Sequence, residues 1–290
     1  MPDIMGAMDI AFPNINVYLS NVPKNFTVFG FTVALYGVII GLGFLTALLI
    51  ITRVAGWTSQ KSDDYWDVAI YIIIFSIIGA RLYYVFFAWD YYKSNPISIL
   101  NIRNGGLAIY GGVAAGFLTL FIYTKLKKKS FFLFGDTIMP GLVFGQIMGR
   151  WGNFTNREAF GEYTNGLFAM RLPVEAVRSG EITELMKANM VEGTNYIQVS
   201  PTFLYESLWN IMIFILILLY TKHKKFDGEI ILLYLGGYGL GRAWIEGLRT
   251  DQLIMHTTGL PVSQVLAICL VIFAVVTDVI VRLRLKKKNG

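Results

Sequence analysis

Long apolar stretches alternate with shorter polar ones along the whole chain. A helix needs about 20 apolar residues to cross the hydrocarbon core of a bilayer. Seven stretches approach that length: 31–52, 67–89, 105–124, 131–149, 201–221, 230–248 and 257–277. Three of them, 31–52, 105–124 and 257–277, carry no charge. The second is apolar after Asp67 apart from Arg81. The fourth holds Asp136 and meets Arg150 at its end. The fifth is apolar after Glu206, and the sixth carries Arg242 and Glu246 late in the run. This pattern predicts an all-α polytopic membrane protein with seven transmembrane helices, forming a single integral membrane domain over residues 1–290. The longest polar stretch, 151–200, is expected as a small extracytoplasmic cap inserted between helices four and five, with short helices near 174–179 and 182–190. There is no convincing internal repeat, and no low-complexity tract beyond the basic tail. The first apolar run starts near residue 28 without a preceding basic region, so it reads as a permanent helix rather than a cleavable signal peptide.

Composition agrees with this reading. Of 290 residues, 55% are hydrophobic and only 15% charged, and the mean hydropathy is +0.55. Ordinary soluble domains carry about 25% charge. A soluble enzyme and a disordered chain are both excluded on that ground. Aromatic residues at 15% suit belts at a membrane interface. The one cysteine, Cys269, rules out an intrachain disulfide and a cysteine-based metal site, and is expected in the core of the inner half. His223 and His256 are far apart and are expected as solvated loop residues, so no metal site is expected.

The placement of the +6 net charge says more than its size. Cytoplasmic loops collect Lys and Arg. Fourteen cations fall after spans one, three, five and seven, ending in the run Arg282 to Lys288, while eight fall on the other side. The N-terminus is therefore expected outside and the C-terminus in the cytoplasm. The basic tail reads as a topology signal rather than a nucleic-acid site.

Three cations remain, Arg81, Arg150 and Arg242, within or at the ends of spans. Charge inside a bilayer costs about 2.5–3.5 kcal/mol per residue and usually serves function. With the N-terminus outside, Tyr36, Arg81, the segment from Gly105 to Tyr110, Arg150, Glu206, Arg242 and Glu246 all fall in the outer half. A channel distributes polar residues along its depth, and a transporter centres its site near the midplane. A one-sided cluster fits an enzyme acting on lipid or on a secreted substrate. Arginine presents a permanent charge in a planar fork that matches phosphate. In Tyr238-Gly-Leu-Gly-Arg242-Ala-Trp-Ile-Glu246-Gly-Leu-Arg249 the spacings of four, four and three put the four named residues on one helical face. In Gly149-Arg150-Trp-Gly152-Asn153-Phe-Thr-Asn156-Arg157-Glu158-Ala-Phe-Gly161 glycines permit close backbone approach, and the amides could hold ester or headgroup oxygens. Plainer readings stand beside these: an Arg242–Glu246 ion pair inside the bundle, Arg81 snorkelling to the interface, and the run from Asn104 to Gly112 as a helix-packing surface.

At these motifs the sequence resembles the prolipoprotein diacylglyceryl transferase family. The run from Gly149 to Glu158 resembles the family signature. Gly79-Ala-Arg81, Asn104-Gly-Gly-Leu-Ala-Ile-Tyr110-Gly-Gly112, Pro201-Thr-Phe-Leu-Tyr-Glu206 and the run from Tyr238 to Arg249 are similar in order, over about residues 30–280. The resemblance implies seven transmembrane helices, a site facing the outer leaflet of a bacterial cytoplasmic membrane, and no cofactor. The implied reaction transfers a diacylglyceryl group from phosphatidylglycerol to the lipobox cysteine thiol of a preprolipoprotein signal peptide, releasing glycerol phosphate. By matched position, Arg150 and Arg242 are implied as the cations that hold the phosphate. Asn153, Asn156 and Glu158 shape the headgroup site, with Gly161 in its loop. Tyr36, Tyr238 and Glu246 orient these groups, Arg249 assists at the rim, and Arg81, Gly105 and Gly106 contact the lipid. Many relatives have histidine where this chain has Tyr110 and Ser200. Either Tyr110 takes over a base role, or neighbouring arginine lowers the pKa of the acceptor thiol enough for thiolate to form. The rival readings are a transporter or flippase for an anionic lipid, and a scaffold whose polar cluster only holds helices together.

Overall fold

A computed structural model describes residues 9–102, 105–250, 252–255 and 259–289. Arg103, Asn104, His256 and Thr257 lie outside the described residues. Helices dominate: α1 Leu35–Trp57, α2 Ser62–Phe87, α3 Trp89–Tyr92, α4 Ile109–Leu126, α5 Phe131–Asn156, α6 Glu184–Ala188, α7 Thr202–Tyr220, α8 Glu229–Ile245 and α9 Val262–Asn289. Among the described residues, six helical stretches are long and apolar enough to cross a membrane: Leu35–Trp57, Ser62–Phe87, Ile109–Leu126, Phe131–Asn156, Thr202–His223 and Val262–Lys288. The stretch expected as span six is α8, with 17 residues. At 1.5 Å rise it measures about 25 Å, short of a hydrocarbon core of about 30 Å. A 3₁₀ turn, Glu246–Leu248, continues it. The long helices turn Leu, Ile, Val and Phe outward, as Leu49, Phe117, Leu219 and Ile272 show, which suits a lipid surround. Cys269 is also exposed, on α9, and not in the core where it was expected.

The all-α expectation is corrected by six short strands. β1 Ile10–Phe12, β2 Val17–Leu19, β5 Met170–Pro173 and β6 Tyr196–Val199 form a sheet ordered β2-β1-β5-β6. β3 Asn25–Val28 and β4 Phe31–Ala34 form a separate hairpin. Runs of three or four residues are too short to show a period of two. The partner of β1 also lies far along the chain, with Ala11 opposite Arg171. The cap therefore draws on the N-terminus as well as on the loop after α5. Ile10, Phe12, Phe160, Leu172, Met186, Ile197 and Val199 make its core. Each fully buried aliphatic or aromatic side chain of this kind contributes about 1.5–3 kcal/mol.

Several boundaries move for local reasons. Residues 31–34, expected in span one, belong to β4. Phe29 and Gly30 both have positive φ, 49° and 81°, the two-residue turn whose twist matches paired strands. Span three begins later than expected, at Ile109. α5 runs on to Asn156, so residues 151–156 are helical and not part of the cap. The short cap helices appear as 3₁₀ turns at Val174–Ala176 and Ser179–Glu181, and as α6, whose first turn is capped by the Thr183 hydroxyl accepting from the Met186 amide.

The chain divides into two compact units, Met1–Ala47 with Met139–Gly290, and Leu48–Ile138. In the second unit α2 packs on α4 at Gly79 and Gly111. A Cβ on Gly79 would stand 2.7 Å from the Gly111 carbonyl oxygen, so only glycine allows that approach. In the first unit α5, α7 and α8 close around Val143, Ile147, Ile213, Ile217, Ile230 and Tyr234.

Candidate active site

In the first unit, α5 ends in a turn that shapes the site. The Arg157 amide donates to the Phe154 carbonyl at 3.1 Å, and the Glu158 amide to the Asn153 carbonyl at 3.1 Å. This is the paired closure that usually places glycine in the left-handed position. Here Arg157 occupies it, with φ 55°. The Arg157 side chain is 2% exposed. It donates to the Thr155 carbonyl at 2.9 Å and the Val22 carbonyl at 2.5 Å, pinning the turn to the N-terminal segment. Burial lowers its pKa from the usual guanidinium value. In the sequence Arg157 counts only among the eight cations outside the cytoplasmic loops, with no role expected of it.

The turn orients the polar face of α5. Arg150 Nη2 lies 2.8 Å from Glu206 Oε2, and its Nη1 donates to Asn153 Oδ1 at 3.3 Å. Asn153 Nδ2 donates to Glu158 Oε1 at 3.0 Å, and Asn156 Nδ2 donates to the same oxygen at 3.3 Å. Arg178 reaches the other Glu158 oxygen at 3.6 Å. From α8, Arg242 Nη1 lies 3.3 Å from Glu206 Oε2, and its Nη2 2.5 Å from Glu246 Oε2. Arg249 Nη1 lies 3.6 Å from Glu206 Oε1. A continuous chain of contacts thus runs from Glu246 through Arg242, Glu206 and Arg150 to Asn153, Glu158 and Asn156.

Glu206, the carboxylate early in α7, is the hub, with three guanidiniums on its two oxygens. It was noted in the sequence as a polar residue of span five, but not assigned to the site. Its signal was a lone carboxylate in an otherwise apolar run. Arg249 does reach the cluster, but not from a shared helical face. α8 ends at Ile245, and Arg249 follows the 3₁₀ turn in extended backbone, φ −80° and ψ 148°.

Around Glu206 stand three arginines, Arg150, Arg242 and Arg249, against two carboxylates, Glu206 and Glu246, while Glu158, farther along the chain of contacts, pairs with Arg178. The side chains of the first five are 18%, 16%, 12%, 5% and 3% exposed in that order. Buried charge is tolerated when it is balanced. This set carries one positive charge in excess and so favours a singly charged anion such as a phosphodiester.

Tyr36, in the first turn of α1, lays its ring against α5 at Gly152, where a Cβ would come within 2.6 Å of it. Tyr238 stacks on Tyr234, with ring centroids 5.6 Å apart. The expectation that amides of the 149–161 segment hold headgroup oxygens does not extend to Gly161. Its N–H donates to the Ser200 carbonyl at 2.9 Å, and a Cβ there would press to 2.5 Å from the Leu248 carbonyl oxygen. Gly161 is a close-packing position joining the cap to the segment after α8.

Arg81, Gly105, Gly106 and Tyr110 belong to the second unit. Arg81 is buried, and each of its five N–H groups has a backbone carbonyl: Ile99 at 2.7 Å, Gly105 at 2.9 Å, Gly106 at 2.8 Å, Ser98 at 2.8 Å and Asn101 at 3.1 Å. No donor remains for a phosphate, so the expected lipid contact by Arg81 is corrected to an anchor for the loop before α4. Neither does Arg81 snorkel. Gly105 and Gly106 have φ of 83° and 78°, which aims their carbonyls at Arg81. Tyr110 is exposed at the start of α4.

These features define a membrane protein whose buried cationic site suits a phosphate-bearing ligand. The family model for prolipoprotein diacylglyceryl transferase matches residues 23–280. The chain is 40% identical over 264 residues to the phosphatidylglycerol–prolipoprotein diacylglyceryl transferase of Clostridioides difficile, covering 91% of this chain and 95% of that one. It is 37% identical over 255 residues to the enzyme of that name from Finegoldia magna, covering 88% and 93%. A like-named protein of Staphylococcus haemolyticus is 39% identical over 255 residues, covering 88% and 86%. The chain belongs to the prolipoprotein diacylglyceryl transferase family, and it is a transferase.

Proposed function

We propose that this protein moves the diacylglyceryl group of phosphatidylglycerol onto the lipobox cysteine of a preprolipoprotein signal peptide. The observation that carries the reading is the single excess positive charge around Glu206, matched to one phosphodiester. Arg150 and Arg242 hold the phosphate, with Arg249 completing the ring. As the thiolate sulfur forms its bond to the glycerol carbon, the carbon–oxygen bond to phosphate breaks. Glycerol phosphate leaves, and the guanidiniums stabilise the second negative charge that grows on it. Positioned cations of this kind are often the largest catalytic contribution. The acceptor proton passes to water or to a carboxylate, and nearby arginine favours the thiolate. Asn153, Asn156 and Glu158 orient the headgroup side, while Tyr36, Tyr238 and Glu246 hold the arginines in place.

In this reading the protein lies in the cytoplasmic membrane of a bacterium with its N-terminus outside. α8 serves as a seventh span, and the site opens toward the outer leaflet. The polar end of α5, the first turns of α7 and the last turn of α8 meet beside the cap, which supports that placement. The test is transfer in detergent from phosphatidylglycerol to a labelled lipobox peptide. Arg150→Ala and Arg242→Ala should each reduce the rate by about 10²–10³-fold or more, whereas changing Lys222 and Lys225 should leave it unaltered. Lipid transport without a thioether product would overturn the proposal.

A further inference from the structure

The β3–β4 hairpin stands apart from the cap sheet, and its side chains divide by face. Phe26 pairs with Val33 and Val28 with Phe31, while Asn25 pairs with Ala34 and Thr27 with Thr32. Residues opposite one another share a face, and faces alternate along a strand. One face is therefore Phe26, Val28, Phe31 and Val33, and the other carries Asn25, Thr27 and Thr32. The apolar face is open: Phe26 is 39% exposed, Val28 40% and Phe31 73%. Phe29, at the turn, is 97% exposed. Its left-handed backbone, φ 49°, is a position where Asn, Asp or Gly is usual and a bulky residue is an outlier. A phenyl ring held there with almost no protein around it calls for a partner outside the fold.

The position of the hairpin says which partner. β4 ends at Ala34 and α1 begins at Leu35. The Leu35 amide donates to the Lys24 carbonyl at 2.9 Å, carrying the hairpin's pairing up to the helix. No charged residue occurs from Asn25 to Thr52. α1 alone, with 23 residues, measures about 34 Å, which already exceeds a hydrocarbon core of about 30 Å. The hairpin is therefore uncharged length beyond what the span uses. Its cationic base stays with the cap, where Lys24 Nζ donates to the Ala176 carbonyl at 2.6 Å. Two strands leave outer edges whose backbone groups the hydrocarbon centre does not tolerate. At the interface those edges reach water and headgroups while the rings reach acyl chains. A lone two-stranded hairpin is marginal in water, and covering its apolar face supplies the missing support. We propose that the β3–β4 hairpin docks on the outer leaflet of the bilayer, with the Phe29 ring and the Phe26, Val28, Phe31 and Val33 face at the boundary of headgroups and acyl chains. Tyr36 follows β4 by two residues and lies against Gly152, so the docked hairpin steadies the end of the helix that carries it.

The leaflet named here rests on the orientation given under the proposed function, while the docking itself does not. Nitroxide labels are placed through Phe29→Cys or Phe31→Cys in the full chain with Cys269→Ser, reconstituted into vesicles containing phosphatidylglycerol. A label through Gly193→Cys, at an exposed position of the cap, marks the aqueous value. Labels at 29 and 31 should be broadened more than the one at 193 by lipid-soluble oxygen, and less by a water-soluble nickel chelate. Burying one phenylalanine favours the apolar side by about tenfold or more. Phe29→Asn, which suits the left-handed turn, should therefore move the nickel broadening of the label at 31 toward the value at 193. Phe31→Cys carries the test where a change at 29 disturbs the turn. Labels at 29 and 31 that match the one at 193 would overturn the docking. Protection from both reagents, or spin–spin broadening between copies, would show a protein partner instead and overturn it as well. Reaction of Gly193→Cys from the cytoplasmic side would overturn the orientation and with it the leaflet, which the oxygen and nickel values do not report.

Discussion

At the scale of single residues, the site depends on side chains whose partners are not near them in sequence. Glu206 is the sharpest case. Replacing it with glutamine keeps the shape but leaves Arg150, Arg242 and Arg249 facing one another across a neutral amide. Breaking a buried ion cluster from one side costs about 3–5 kcal/mol. Glu206→Gln should therefore lower the melting temperature in detergent and reduce transfer together, while added phosphatidylglycerol restores part of the stability by supplying an anion. Arg157 tests a different balance. Arg157→Ala loses the bonds to Thr155 and Val22 and keeps the left-handed backbone, whereas Arg157→Gly loses the same bonds and relieves that backbone. Both should destabilise, and the glycine variant should be the milder by about 1 kcal/mol. Equal losses in thermal unfolding would show that the backbone at 157 is unstrained. A change at Tyr110 tests the route of the acceptor proton. If arginine alone favours the thiolate, Tyr110→Phe retains most of its transfer, and near-complete loss in a folded variant would make the phenol essential.

At the scale of elements, the long apolar runs were readable because about 20 such residues in a row have few other uses. The polar end of α8 followed from the four-residue spacings of Tyr238, Arg242 and Glu246, and that of α5 from Arg150 at the close of its apolar run. The strands were not readable, since β1 and β5 owe their existence to each other and not to local pattern. The partners of Arg81 are not readable for a related reason. A lone arginine in a span looks identical in sequence whether it meets phosphate or five carbonyls of a loop 17 to 25 residues away. The cap sheet also makes a pH prediction through Tyr196 on β6. Burial, with the carboxylates Asp9 and Glu175, raises its pKa from the ordinary value of 10.0. The folded state then holds the proton more tightly than the unfolded chain does. Its stabilisation is complete below about pH 10 and is lost as pH rises beyond that. Melting temperatures between about pH 9 and 11 should fall more steeply in wild type than in Tyr196→Phe, and parallel curves would show that this phenol does not set the alkaline limit.

At the scale of the whole molecule, the odd span is α8. With Cys269 changed to serine, single cysteines at Gly193 and Lys288 should react with a membrane-impermeant thiol reagent from opposite sides of intact cells, Gly193 from outside. Labelling of both positions from the same side would remove α8 from the set of spans. The cap adds a consequence in time. β1 at Ile10–Phe12 is made long before its partner β5, which begins at Met170, and before β6, which begins at Tyr196. During synthesis the N-terminal strands must therefore wait while α1, α2, α4 and α5 enter the membrane. Only then does the chain that completes their sheet emerge, along with the turn that Arg157 ties to Val22. The transferase thus becomes competent late in its own biogenesis, and a chain released before residue 200 holds Arg150 but has neither a finished cap nor a Glu206 to receive it.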